Sequence, residues 1–326
     1  MTPEPLQPVQ PLTTLRRLWQ TSAPLTAVSL VMFAAFLVSC AGLVLDPRVI
    51  AGAPAWLKPA KFGISTAIYA LTLAWVFTYL PAWSKTVRAV GWMTAVIFVF
   101  EVGVIDLQAW RGTTSHFNVA TPFDATLFGL MGLGIVLQTL ASVLVAVALW
   151  RQRFDDTVMG WALRMGMTIT IVGATTGGLM TRPTDAQLTQ LRATHRAAVV
   201  GAHTVGGLDG GPGLPATGWS REHGDLRAPH FVGLHALQAL AVAGLWVRKR
   251  RGQSAQGVNL MRTAAASYAA LFAILIWQAL RGQSLVRPDG LTLAVLACWA
   301  TLTAMVAWVA AGRQVPASPR PVVSIG

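Results

Sequence analysis

Eight long apolar runs constrain this chain more than any other feature. A helix needs about 20 apolar residues to cross the ~30 Å hydrocarbon core of a bilayer. Runs close to that length lie at 24–45, 62–80, 89–110, 123–150, 159–180, 230–247, 263–280 and 291–311. Only 11% of the 326 residues are charged, which is too little charge to cover a soluble protein. The sequence therefore predicts an all-α, polytopic transmembrane helical bundle of about eight spans.

The basic residues predict how the spans are oriented. With the N-terminus inside, the cytoplasmic segments carry 13 Lys and Arg and three acids, whereas the outer segments carry 11 bases and nine acids. Positive charge collects in cytoplasmic loops. We therefore expect cytoplasmic tails at 1–23 and 313–326, a transmembrane domain at 24–312 and a long outer loop at 181–229. The net charge of +13 then reflects topology in a bacterial inner membrane, with the lipid bilayer as partner and no nucleic acid.

The two cysteines have no metal-binding spacing. Leu37-Val38-Ser39-Cys40 is similar to a lipoprotein cleavage box, but the apolar run continues past Cys40 to Leu45. A removable segment usually ends at its cleavage site, so we predict an uncleaved first span. Cys40 and Cys298 lie in separate apolar runs, and we expect both to be small buried hydrophobic residues.

The long outer loop has two halves of different character. The stretch from Asp185 to His203 has apolar residues along one side of a helix and predicts one. The following stretch, 206–215, contains so many Gly and Pro residues that it excludes a helix and predicts tight turns. Loops of this length are often functional.

An internal similarity links the third and seventh spans. Gln108-Ala109-Trp110-Arg111-Gly112 ends one, and Gln278-Ala279-Leu280-Arg281-Gly282 ends the other. Either chance or a parallel four-plus-four duplication, as in some transporters, explains the match. In the fifth span, small residues at 173–178 favour close helix packing.

The polar residues predict a site that faces the outer side. All the histidines fall in outer segments or at the outer ends of spans. They are His116, His195, His203, His223, His230 and His235. Glu101 lies about 13 Å deep in the third span, where an ionised carboxylate is costly unless it is paired. Gln108 shares its helix face. Glu101 is therefore the leading site residue; the alternative is a protonated or Arg-paired structural residue.

Arg111, His116 and Asn118 follow the third span directly. We expect these hydrogen-bond donors to gather just above Glu101. Asp124 begins the fourth span and has a simpler role, because an acid in the first turn complements the helix dipole.

Two histidines open the sixth span. His230 and His235 are five residues apart, about 140° around a helix, so they cannot bind one metal ion from one face. His235 lies deeper, with Gln238 one turn further on. It is the better candidate for a ligand or proton carrier, unless it is only a hydrogen-bonded packing residue.

Lys61 and Asp209 complete the candidate site. Lys61 follows an interfacial Trp and is expected to anchor the second span at the membrane surface. The alternative is that it faces the bundle and pairs with Glu101 or with an anionic ligand. Asp209 lies in the glycine-rich half of the outer loop, which would form the roof of the pocket.

Several segments together resemble a group of bacterial multi-pass membrane proteins of uncharacterised activity. The segments are Trp56 to Phe62, Gln108 to Gly112 with Ser115 to Asn118, Asp209 to Gly213 with Gly218 to Ser220, and His230 to Gln238. The resemblance implies topology only and assigns no catalytic role.

The leading hypothesis is an outward-facing pocket for ligand binding or for proton- or cation-coupled transport of a small molecule. Glu101 and His235 would be the carriers and Arg111 an anion clamp. The alternative is an oxidoreductase subunit that binds b-type haem or a divalent metal. Its ligands would be His116, His203, His230 and His235. A structural or assembly factor without a small ligand is the third possibility. No Walker loop, GxSxG, HExxH or CxxCH motif occurs, so the sequence assigns no catalytic residue.

Overall fold

Helices make up nearly all of the regular structure. The computed structural model describes residues 11–312, with side chains from residue 14. Its helices are α1 (Pro11–Thr21), α2 (Ala23–Leu45), α3 (Leu57–Phe77), α4 (Ser84–Trp110), α5 (Pro122–Arg151), α6 (Thr157–Thr175), α7 (Gly177–Met180), α8 (Asp185–Thr194), α9 (Arg227–Leu234), α10 (Ala236–Arg251), α11 (Ala255–Leu280) and α12 (Gly290–Gly312). A 3₁₀ turn, Pro81–Trp83, precedes α4. Two antiparallel hairpins pair β1 (Val49–Ile50) with β2 (Ala53–Pro54) and β3 (Thr204–Val205) with β4 (Gly224–Asp225).

The predicted all-α bundle is confirmed. Within the described residues, seven helical segments are long and apolar enough to cross a membrane, and α9 with α10 forms an eighth if the bent pair is one span. The chain therefore has the architecture of a multi-pass membrane protein. The predicted tail at 313–326 and the first ten residues lie outside the described residues. The rest of the predicted N-terminal tail contains α1.

The sixth predicted span is broken. α9 and α10 meet at a bend of 47°. His235 lies in the break, with φ −92° and ψ 9°, which is the bridge region between helical and extended backbone. The break places an ionisable side chain where the helix is interrupted.

The packing of the helices repeats between the two halves. In the first half, α2 packs along α3, α4 packs on α5, and α4 also contacts α2 and α3. In the second half, α6 packs along α9 and α10, α11 packs on α12, and α11 also contacts α6 and α10. The same pattern in the same order supports the four-plus-four duplication over chance.

The two similar sequence segments build similar turns. Gln108 Nε2 lies 3.4 Å from the Thr114 carbonyl oxygen, and Gln278 Nε2 donates to the Ser284 carbonyl at 2.8 Å. In both cases the amide crosses the turn that leaves the helix. The glutamine therefore has the same structural role in both halves.

The arginines of the two segments also correspond. Arg111 pairs with Asp124 at the start of α5 at 2.6 Å. Arg281 pairs with Asp289, which directly precedes α12, at 2.7 Å. Each pair ties the end of one span to the beginning of the next.

One pair of corresponding residues from the two halves is in contact. The sequence offset that relates the two turns also relates Pro59 to Pro229, Gly63 to Gly233 and Ser65 to His235. Ser65 Oγ and His235 Nε2 lie 3.1 Å apart. Positions related by an internal two-fold contact each other only near its axis, so this contact marks where the halves meet.

The small residues of the fifth span allow close packing, as predicted. A Cβ added at Gly173 would lie 2.4 Å from the backbone carbon of Gly233, and one at Gly233 would lie 2.5 Å from the Gly173 Cα. α6 and α9 therefore cross with backbone against backbone. Gly178 differs, because nothing lies within 4 Å of its added Cβ.

Two predictions about local structure are wrong. The helix predicted from Asp185 to His203 ends at Thr194, where His195 adopts a left-handed conformation with φ 53°. The chain beyond it is drawn into backbone pairing with Phe117 and Val119, at 2.9 Å for each hydrogen bond, so a tertiary contact overrides the helical pattern. Cys298 is exposed and Cys40 is partly buried, because both lie on helix faces that other helices do not cover.

Candidate functional site

The long loop at 181–229 folds back over the ends of the spans that it adjoins. Val200 N–H donates to the Phe117 carbonyl at 2.9 Å, which joins the loop to the α4–α5 connection. Lys61 Nζ donates to the Thr217 carbonyl at 2.6 Å, which joins it to α3. Trp219 packs against Phe231 of α9, with ring centroids 5.8 Å apart. The loop is therefore held by two helices, α3 and α9, and by the connection between α4 and α5.

Beneath the loop, one face of α3 lines a polar crevice. Lys58, Phe62 and Ser65 lie on this face at helical spacing. We use the name polar crevice for the residues of this face together with the three ionisable side chains that lie near it: Glu101, His116 and His235. Lys58, His116 and His235 lie deep among protein atoms, yet each keeps part of its surface accessible. The crevice is thus neither closed core nor open surface.

Glu101 is the most deeply buried acidic side chain of the crevice, at 4% exposure. Its Oε1 has no hydrogen-bond partner. That oxygen lies against α5 at Gly134, where an added Cβ would be 2.9 Å from it. None of the ion pairs among the described residues joins it to an arginine, which leaves the protonated form of the predicted structural alternative.

Lys58 is the cation that faces Glu101, and the sequence did not single it out. The two charges interact, but the two groups form no ion pair within 4 Å. The Lys58 ammonium lies 5.8 Å from the centroid of the Phe62 ring. Lys61, the lysine considered from the sequence, is instead held by the loop carbonyl of Thr217. The ammonium group of Lys58 and the carboxyl group of Glu101 therefore interact at a distance beyond 4 Å, without a direct ion pair.

His116 borders the crevice beside an aromatic cluster. Its ring centroid lies 5.9 Å from that of Phe62 and 6.4 Å from that of Phe128. Ser115 Oγ lies 3.1 Å from its Nδ1. Burial, reinforced by the charge of Lys58, lowers the pKa of His116 well below its usual value. The imidazole is therefore neutral at physiological pH and can both donate and accept a hydrogen bond.

Arg111 and Asn118 have structural roles. Asp124 binds Nη1 of the Arg111 guanidinium at 2.6 Å, which gives Arg111 a structural partner, while its role as an anion clamp stays a prediction. Asn118 Nδ2 donates to Thr113 Oγ1 at 3.0 Å, and its Oδ1 accepts from the Ala120 N–H at 3.1 Å. Both residues shape the connection that carries His116.

The histidines of the broken span point to different partners. His235 Nε2 lies 3.1 Å from Ser65 Oγ on α3. His230 Nδ1 lies 2.9 Å from the Gly173 carbonyl oxygen on α6. The two rings therefore do not converge, as their spacing predicted. Gln238 lies one turn beyond His235, and neither end of its side-chain amide has a partner.

A row of buried polar side chains continues inward from Glu101. Gln138 lies one turn beyond Gly134 on α5, and its side-chain amide lies near the Tyr69 hydroxyl but forms no hydrogen bond of normal geometry. Thr94 lies two turns inward on α4, and its hydroxyl is also unpartnered. Between them, Tyr69 OH lies 3.3 Å from Ser142 Oγ. The polar row, defined as Glu101, Gln138, Tyr69, Ser142 and Thr94, therefore crosses the apolar interior between α3, α4 and α5.

His203 and Asp209 fasten the roof. Asp209 accepts from the Thr204 N–H at 2.8 Å, and its Oδ2 lies 2.9 Å from His203 Nδ1. Burial opposes ionisation, but the hydrogen bonds from His203 and Thr204 outweigh it and lower the pKa of Asp209. Burial also lowers the pKa of His203. At neutral pH a neutral imidazole therefore bonds to an ionised carboxylate.

Acid is expected to loosen this roof. Below about pH 6.5, His203 takes up a proton more readily in the open loop than in the closed one, so closure weakens as the pH falls. The contribution of Asp209 is lost later, as the pH falls through its lowered pKa. Hydrogen exchange of the Thr204 amide, corrected for intrinsic rate, should speed up between about pH 7.5 and about pH 5.5.

Asp209→Asn should remove the charge from this contact. Since hydrogen bonds to charged groups contribute roughly 1.5–3 kcal/mol, we expect exchange at Thr204 to be at least about tenfold faster at neutral pH. Asp185→Asn, in an exposed part of the same loop, is the matched control and should leave Thr204 unchanged. Equal exchange in Asp209→Asn and the native protein would contradict the assignment.

The predicted metal ligands are not clustered. Among residues 11–312, no three His, Cys, Asp or Glu side chains are placed to hold a metal ion. His116, His203, His230 and His235 each have a ring nitrogen beside a protein oxygen: Ser115, Asp209, Gly173 and Ser65 respectively. A site for haem or a metal stays a prediction of the sequence.

Comparisons with models of protein families, with curated proteins and with solved structures find no match to this chain. The resemblance to bacterial multi-pass membrane proteins stays a prediction from its residues. The polar crevice and the polar row are therefore the features of this chain that bear on its function.

Proposed function

We propose that this protein transports a small organic anion across the bacterial inner membrane together with a proton. The observation that carries the proposal is the polar row. Buried polar groups without partners are costly in a membrane interior and are rarely kept without a function. Here they connect the crevice at one end of the bundle to the interior of the span.

Lys58 is the proposed binding group for the anion. Its ammonium group has no ion-pair partner among residues 11–312 and lies deep among protein atoms, which favours a carboxylate from outside the protein. Glu101 lies near Lys58 and is the proposed proton site. An ionised carboxylate is costly at this buried position, and taking up a proton removes that cost. Binding of the anion at Lys58 alters the charge that Glu101 experiences, so the two events are coupled.

The broken span supplies the element that moves. Transporters commonly place their sites where repeats meet and where a helix is interrupted. His235 lies in the break between α9 and α10 and contacts Ser65 beside the crevice. A change in the α9–α10 bend would therefore alter the wall of the crevice, while the Gly173–Gly233 crossing holds α9 on α6.

Lys58→Met tests the anion site. The protein is reconstituted in liposomes that contain a pH-sensitive dye, and a panel of small mono- and dicarboxylates is added. The native protein should move protons inward with at least one member of the panel. Lys58→Met should raise the concentration needed for half-maximal flux at least about tenfold, because a charge-assisted hydrogen bond contributes roughly 1.5–3 kcal/mol.

Lys85→Met is the control, since Lys85 is exposed at the start of α4 and lies far from the crevice. It should leave the flux unchanged. If Lys58→Met transports every panel member as the native protein does, Lys58 is not the anion site. If no panel member elicits proton flux from the native protein, the transport proposal fails.

A further inference from the structure

A second cavity lies at the opposite end of the bundle from the crevice. It encloses about 430 Å³ between α1, the first turn of α2, the end of α3 and the start of α4. Trp19, Ser22, Phe77, Ser84, Arg88 and Trp92 are among the residues that line it. Its volume falls within the range of small-molecule sites. None of these residues belongs to the polar crevice or the polar row.

Among the residues that line this cavity, only Arg88 is charged. The segments 11–45 and 78–100, which supply all but the Phe77 wall of the cavity, contain Arg16, Arg17, Lys85 and Arg88 but no Asp or Glu. None of the ion pairs formed by the described residues includes Arg88. The guanidinium at the rim therefore has no anion supplied by the described part of the chain.

Backbone dipoles add to this positive charge. α2 and α4 both begin at the cavity, and neither helix has a side-chain hydrogen bond that caps its N-terminus; Pro24 removes one N–H from the first turn of α2, and a 3₁₀ turn leads directly into α4. Uncapped N–H groups at a helix start favour anions. Ser22 gives an independent indication, because it is only 6% exposed and lines the cavity. Its hydroxyl has no hydrogen-bond partner among the described residues.

The apolar part of the wall indicates what kind of anion fits. Trp19 and Trp92 are 49% and 60% exposed beside the cavity, and tryptophan concentrates at the interface between water and lipid. Leu18 of α1 is buried, whereas Arg16 and Arg17 are exposed, as expected for a helix that lies in the interface. A ligand with a phosphate group and acyl chains matches both parts of the wall.

We propose that this cavity binds the headgroup of an anionic phospholipid. The phosphate lies at Arg88 and the two helix starts, and the acyl chains leave past Trp92 into the bilayer. Clusters of basic residues at a membrane surface attract anionic lipids. Here the cavity adds a defined position to that general attraction.

The test counts lipids on the full-length protein by native mass spectrometry after titration with phosphatidylglycerol. Arg88→Gln should weaken binding of the tightest lipid about tenfold, because one charge-assisted hydrogen bond is removed. Phosphatidylcholine should bind at least about tenfold more weakly than phosphatidylglycerol. Arg153→Gln, which removes an exposed arginine from the α5–α6 connection, is the matched control and should bind like the native protein.

Ser84→Trp, which places a large ring in the cavity, should also lose the tight lipid, whereas Ser84→Ala should retain it. Equal losses in Arg88→Gln and Arg153→Gln would show unspecific attraction to basic surface and would overturn the site. Displacement of the lipid by an equal concentration of glycerol phosphate would identify a site for soluble phosphate and would overturn the lipid assignment. Both outcomes are independent of transport through the crevice.

Discussion

Glu101→Gln is expected to reduce anion-driven proton movement in liposomes to the level of liposomes without protein. Glutamine keeps the shape of the side chain and its packing against Gly134, but it cannot take up and release a proton. Binding of the anion at Lys58 should persist, because the ammonium group is unchanged. Thermal stabilisation by the anion measures that binding separately from proton flux.

Asp106→Asn is the matched control for this substitution. Asp106 lies on the same helix, is partly buried, and also has an unpartnered carboxylate oxygen, but it lies outside the polar row. Its replacement should leave proton flux intact. Proton flux in Glu101→Gln equal to that of the native protein would remove Glu101 as the carrier. Loss of both flux and folding would instead indicate a structural carboxyl group, which gel filtration and thermal unfolding reveal.

Among the substitutions considered, Gly173→Ala is expected to lower the stability of the fold most. The added Cβ would lie 2.4 Å from backbone of Gly233, and backbone cannot rotate away as a side chain can. Forcing extra volume into a packed interface costs about 1–3 kcal/mol, and we expect the upper part of that range. Thermal unfolding in detergent, followed by circular dichroism, measures the change in melting temperature.

Gly178→Ala controls for the loss of glycine in the same segment, because an added Cβ there meets nothing within 4 Å. Its melting temperature should stay close to that of the native protein. Equal melting temperatures for Gly173→Ala and Gly178→Ala would mean that α6 and α9 do not cross as described.

The spans were predicted well because each is identified by hydropathy averaged over about 20 residues. About 20 apolar residues leave few alternatives to a membrane helix, and the errors are confined to ends, such as α3 starting at Leu57 rather than at Phe62. The break at His235 was not predicted. A bend of a few residues leaves the average hydropathy of the span unchanged, so hydropathy cannot detect it.

The site was predicted only in part, because periodicity says which residues share a helix face but not what that face meets. Glu101 stood out as a carboxyl group in an apolar run. Lys58 and Lys61 looked equivalent beside Trp56. They differ in the structure because the carbonyl of Thr217 in the long loop accepts a hydrogen bond from Lys61 only. Arg111 appeared free, because its partner Asp124 belongs to the next helix.

The polar row was missed for a related reason. Gln138, Tyr69 and Thr94 are single uncharged polar residues in three different spans, and each is unremarkable in its own sequence. Their alignment becomes visible only when α3, α4 and α5 are packed together. Polar residues near the middle of predicted spans were the available signal.

The correspondence between Ser65 and His235 bears on the stoichiometry of the proposed transport. Lys58, Glu101 and His116 correspond, at the offset that pairs these two residues, to Ala228, Leu271 and Val286. The second half of the chain therefore lacks counterparts of these three ionisable residues. If the proposed transport operates, we expect one proton and one anion per polypeptide in each cycle, which the ratio of proton flux to anion flux in liposomes measures.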